Sequence, residues 1–148
     1  LLHSLSQHYG SKLRVLFKAY PLAAHPDSTL AAATLIAAQQ QGTFWPMFDA
    51  LSTRTAPITR ESVVALATSL KLDPTSFINA LDDATAAAQQ DVAAAQRRGI
   101  LGAPVMFLND KRVDGLQREA FYTSIADTEL GSVPATQAGL AATAPSGR

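Results

Sequence analysis

The sequence predicts an α/β fold, on three observations. Apolar residues at helical spacing open the chain, a run alternating at strand period follows, and a helix-rich middle gives way to a hairpin pattern and a last helix.

Leu2, Leu5 and Tyr9 recur at i, i+3 and i+7, one face of a helix, and Gly10 stands where a left-handed C-cap is expected. In "LRVLFKAYPL", Leu13, Val15 and Phe17 alternate with Arg14, Leu16 and Lys18 until Pro21, which predicts a strand. Asp27 or Ser28 caps a helix of good formers that ends at Gly42. Thr43 opens a short helix bearing Phe44, Trp45, Met47, Phe48 and Leu51, with Pro46 tolerated because it falls in the first turn. Thr59 and Asp73-Pro74 start two more short helices, and a longer Ala/Gln-rich one runs over about 84–98. Its closing cations, Arg97 and Arg98, suit the negative end of the helix dipole, and Gly99 follows as a cap.

"GAPVMFLN" comes next. Proline cannot donate to a β-ladder, so Pro104 belongs at the first position of the strand it opens. "VMFL" and "RV" flank Asn109-Asp110-Lys111 as a hairpin turn, and Asp114-Gly115 marks another before a helix with Leu116, Phe121 and Ile125. From residue 131 onward the composition is small, polar and Pro/Gly-punctuated, with too little apolar bulk to offset ordering entropy, which predicts a flexible tail or linker over 131–148.

Composition excludes several function classes. At 148 residues and 47% hydrophobic, the chain can bury about two-thirds of its unfolded surface in one domain. Lys plus Arg and Asp plus Glu are equal at 12 each, so no net field steers it toward nucleic acid or an anionic membrane. No apolar run is long enough to span a bilayer, and "LLHSLSQHYG" lacks the layout of a secretory signal. With 0 Cys there is neither disulfide nor thiolate.

The segments "LLHSLSQHYGSKLRVLFKAYPLAAHPDS", "QGTFWPMFDAL" and "RRGILGAPVMFLNDKRVDGLQREAF", in this order and spacing, resemble the DsbA-like branch of the thioredoxin superfamily over about residues 2–127. The resemblance implies a thioredoxin-like domain over 1–130, split by an α-helical insertion at about 27–98, with the first strand and the start of the first helix ahead of Leu1. It also implies a cis proline at Pro104 beside a redox-active Cys-x-x-Cys. An extended substrate peptide would pair with the main chain at Gly102, Ala103 and Pro104, a short case of β-augmentation. By that likeness the activity is thiol–disulfide exchange, the partner an extended peptide or protein, the setting extracytoplasmic (periplasmic) and bacterial, and no cofactor is called for.

This sequence departs from the family at its chemistry, because exchange requires a thiolate and none of the 148 residues is a cysteine. No residue is therefore assigned as catalytic. Two explanations stay open: the Cys-bearing strand and helix start lie upstream of Leu1, or a redox-inactive domain of a larger protein has kept the scaffold for binding or packing.

Other candidates read as structure. His25, before Pro26, matches a family turn; His3 and His8 are five apart, off a shared helix face, so no metal site is expected. Phe44, Trp45, Met47 and Phe48 either line a peptide groove or, as helical spacing favours, fill the core. Asp82-Asp83 reads as a solvated helix end.

Overall fold

The computed structural model describes residues 1–132. The chain divides into two compact units, one made of Leu1–Leu16 with the chain from Pro104 onward, the other of Phe17–Ala103.

The first unit holds α1 (Leu2–Tyr9), a single 3₁₀ turn (Gly10–Lys12), strands β1 (Val105–Leu108) and β2 (Lys111–Asp114), and α6 (Glu119–Ser132). Leu5 and Tyr9 of α1, Val113 of β2, and Tyr122 and Ala126 of α6 form its buried core, with Met106, Leu108 and Ile125 packed against them. The β strands pair antiparallel in the register Val105↔Asp114 to Leu108↔Lys111. The turn therefore comprises Asn109 and Asp110, and Asn109 takes the positive φ of 53° that asparagine tolerates better than most side chains. Its amide donates to Glu129 at 2.8 Å, and Lys111 reaches the same carboxylate at 3.0 Å, tying the hairpin to α6.

The second unit is the helical one, with α2 (Ser28–Gln40), α3 (Phe44–Ser52), α4 (Arg60–Ser69) and α5 (Pro74–Arg97). Alanine-rich α2 is buried over most of its surface and packs chiefly on α5, because small side chains let the two backbones approach. Phe77, Ala80, Leu81 and Ala84 of α5 recur at helical spacing and meet Ala33, Ala37, Met47 and Val63 in one core. Thr59 caps α4 through a reciprocal pair, its hydroxyl accepting from the Ser62 amide at 3.2 Å while its own amide donates to the Ser62 hydroxyl at 2.9 Å. Three helices end in the same closing pair of hydrogen bonds, with Gly42, Lys71 and Gly99 at positive φ.

Several expectations are corrected. The strand predicted for Leu13–Lys18 carries no ladder among the described residues. Leu13 is extended, at φ −118° and ψ 125°, and burial still alternates from Leu13 to Leu16, but a strand exists only by pairing. The two helices predicted on either side of Asp82-Asp83 are one, α5, of 24 residues. No Gly or Pro interrupts it there, two aspartates cost less than a break, and the Thr85 hydroxyl bonds back to the Leu81 carbonyl at 3.0 Å. Gly10 has the positive φ expected of a cap, yet its ψ of −128° lies outside the left-handed helical basin. On α6 the buried face is Tyr122 and Ala126, while Leu116 precedes the helix and is exposed, as is Phe121. Lys111 belongs to β2 rather than to the turn. Beyond Ser132, the predicted tail lies outside the described residues.

Candidate functional site

Gly102, Ala103 and Pro104 lead directly into β1, as the sequence predicts. Ala103 and Pro104 are exposed and Gly102 is half-buried. The Pro104 carbonyl accepts from the Gly115 amide at 2.9 Å, which continues the hairpin ladder one step beyond its last assigned pair. Hydrogen-bonded residues alternate along an antiparallel strand. Since the main chain of Pro104 faces β2, that of Val105 faces the opposite edge of β1, and no second strand pairs there among the described residues; Ala103, just ahead, lies in a bend.

That alternation explains the proline. The missing amide hydrogen falls on the ladder side at the ladder's end, where only one bond is forfeited. Neither the amide nor the carbonyl of Ala103 is engaged by any described residue. Phe107, four residues after Ala103 and on β1, is 47% exposed.

The other candidates separate. Met47 is fully enclosed and belongs to the core. Phe44, Trp45 and Phe48 are half-buried and touch one another, with ring centroids 5.1–6.0 Å apart, and Phe17 joins at 5.2 Å from Phe44. His25 works through its backbone, its amide donating to Leu22 at 2.9 Å and its carbonyl accepting from Ser28 at 3.0 Å, the turn role expected. It borders a cleft of about 320 Å³ with Pro21, Pro26, Gln89 and Val92. His3 and His8 are both exposed on α1, and His8 stacks edge-on against Tyr9. Asp82 is not at a helix end but pairs with Arg60 at 3.1 Å. Among the described residues no group of three or more His, Cys, Asp or Glu could hold a metal ion, and no helix is long and apolar enough to cross a membrane.

Charge in the first unit is organised by pairing. The Tyr9 hydroxyl donates to the Asp127 carboxylate at 2.8 Å and lies 3.1 Å from the Thr123 carbonyl, and Ser4 donates to Glu119. Burial first, then Asp127, raises the Tyr9 phenol above its ordinary value. Glu129 is lowered, first by the Asn109 amide and then by Lys111.

Sequence reasoning missed Tyr122. It is fully buried, its hydroxyl accepts from the Gln117 amide at 3.1 Å, and it donates to the Gly115 carbonyl at 3.4 Å. The available signal was its position four residues before Ala126, which puts both on one face; the larger apolar residues Leu116 and Phe121 masked it.

The chain is 34% identical over 125 residues to the Na(+)/H(+) antiporter NhaA of Herminiimonas arsenicoxydans, which covers 83% of this chain and 20% of that protein. It is 27% identical to the antiporter of the same name from Nitrosospira multiformis, over 87% of this chain and 21% of that protein. With the Na(+)/H(+) antiporter NhaA 3 of Salinispora tropica it shares 32% identity over 71% of this chain and 17% of that protein. The chain thus spans only about a fifth of the curated relatives it matches. No solved structure matches it. The family model described as "DSBA-like thioredoxin domain" matches residues 2–125, the stretch that carries the helical unit, the proline-led hairpin and the first half of α6. This chain belongs to the DSBA-like thioredoxin domain family.

Proposed function

We propose that this domain holds extended peptide segments, as one part of a larger protein, by pairing them with the main chain at Ala103 and Val105. The observation that carries the reading is the open edge of β1 at Val105, whose other edge is occupied, directly after an Ala103 amide and carbonyl that no described residue engages. An extended chain adds to such an edge by backbone hydrogen bonds, and neighbouring apolar groups such as Phe107 select side chains. In this reading the Ala103–Pro104 bond is cis, and Gly102 leaves room for the guest.

None of these 148 residues is a cysteine, so the part played by them is to hold a substrate. Exchange in a larger protein needs a thiolate from elsewhere, which attacks a substrate disulfide, forms a mixed disulfide and releases the other sulfur as a thiolate. The share of each relative that this chain spans supports the larger-protein setting. The proposed compartment is extracytoplasmic, on the family resemblance.

The test is fluorescence anisotropy with a labelled pentapeptide of alternating Val and Thr, alongside the same peptide N-methylated at alternate amides. Saturable binding that N-methylation abolishes is expected, and Pro104→Ala should weaken it. Equal binding of both peptides would remove main-chain pairing as the mechanism. An NMR cross-peak between the α-protons of Ala103 and Pro104 reads the cis bond directly.

A further inference from the structure

At the ladder end, β geometry asks for two hydrogen bonds between residues 104 and 115. One is present, from the Gly115 amide to the Pro104 carbonyl at 2.9 Å. The other would run from the residue 104 amide to the Gly115 carbonyl, and proline has no such hydrogen. That leaves an acceptor with no ladder donor beside a buried side chain, a situation that folded chains avoid.

The Gly115 carbonyl instead faces the Tyr122 hydroxyl at 3.4 Å. The tyrosine oxygen accepts from the Gln117 amide at 3.1 Å, so its one proton is free to go to Gly115. At that length the second bond is the weaker of the two. Tyr122 is fully enclosed, which fixes its ring and shields its hydroxyl from water, while Gly115 is half-buried. Through these two contacts the hydroxyl bridges the segment leaving β2 and stands in for the absent proline amide.

We propose that Tyr122 is a positioning residue for the Pro104 end of β1, its hydroxyl replacing the ladder bond that Pro104 cannot make. The claim about peptide holding rests on the function proposed above; the hydrogen-bond assignment does not.

A double-mutant cycle on the 148-residue chain tests it. Tyr122→Phe keeps the ring and removes the hydroxyl, and Pro104→Ala returns an amide hydrogen at position 104. With Pro104 in place, Tyr122→Phe should lower the folding equilibrium constant about tenfold, as loss of a buried hydrogen bond does. In the Pro104→Ala background the loss should be about threefold, because Gly115 then has a backbone donor and only Gln117 is orphaned. A second readout is amide exchange: Gln117 should exchange faster in both backgrounds, and Gly115 faster only with Pro104. Equal losses in the two backgrounds would overturn the assignment.

The functional arm measures the labelled pentapeptide under conditions where every variant is folded. Tyr122→Phe should weaken its binding several-fold; an intact cycle with unchanged affinity would overturn the positioning role. If the parent chain does not bind the peptide, the peptide-holding reading fails, and the cycle still decides the hydrogen bond.

Discussion

Met47→Ala separates a packing side chain from a groove-lining one. Met47 is 0% exposed and shares its core with Val63, Phe77 and Leu81. Truncation removes Cγ, Sδ and Cε, worth about 0.8 kcal/mol each when buried, or roughly 2.4 kcal/mol of transfer free energy. A residual void on the order of 50 Å³, at about 24 cal/mol per Å³, adds roughly 1.2 kcal/mol. The expected loss is therefore about 3.6 kcal/mol, a large share of the ~5–15 kcal/mol that holds a domain folded. For a urea dependence of about 2 kcal/mol per M, the midpoint should fall by nearly ~2 M. Trp45, the chain's single tryptophan, lies two residues away on α3 and reports the transition by fluorescence. A midpoint shift below about 0.5 M, with weakened peptide binding, would refute the packing argument and put Met47 on a binding surface.

Lys71 closes α4 at φ 63°, where two other helices of the same unit use glycine, so Lys71→Gly should stabilise by about 1 kcal/mol, read from the urea midpoint; a loss would mean that the lysine side chain is engaged. Three carboxylates lie below their ordinary values: Glu61 through its own backbone amide and then Thr59, Asp73 through the Ser76 hydroxyl and then its amide, and Glu129 through Asn109 and then Lys111. In acid the unfolded chain then binds more protons, so these contributions are complete above the unfolded pKa of about 4 and are lost as pH falls through the lower folded values. The urea midpoint should drop between about pH 5 and pH 3, and Glu129→Gln should flatten that slope; an unchanged slope would show that its contacts carry no net stability. Tyr9 runs oppositely. Its raised phenol contributes stability below about pH 10 that disappears as pH climbs through the folded value, and Tyr9→Phe should abolish that alkaline loss.

Much of the candidate site could be read from local chemistry. Proline's missing donor predicts a strand start at 104, and Asn109-Asp110 predicts the reversal that pairs β1 with β2. The Ala103 main chain could be singled out only through the family resemblance, because an alanine shows no pattern of its own. Which edge of β1 stays open after it follows from the Pro104–Gly115 bond, a pairing between residues 11 positions apart.

By itself, the sequence determined those helix ends that a cap or breaker marks, though not the continuity of α5 through Asp82-Asp83. Caps and breakers act over three or four residues, as Thr59, Asp73-Pro74, Gly42 and Gly99 do. Tertiary structure alone decided whether an extended segment becomes a strand, which depends on a distant partner's backbone: 13–18 has no ladder, whereas 105–108 has one. It also decided which of α6's apolar residues is enclosed. Propensity treats Phe121 and Tyr122 alike, but only Tyr122 can bury its ring and still use its hydroxyl on Gly115 and Gln117.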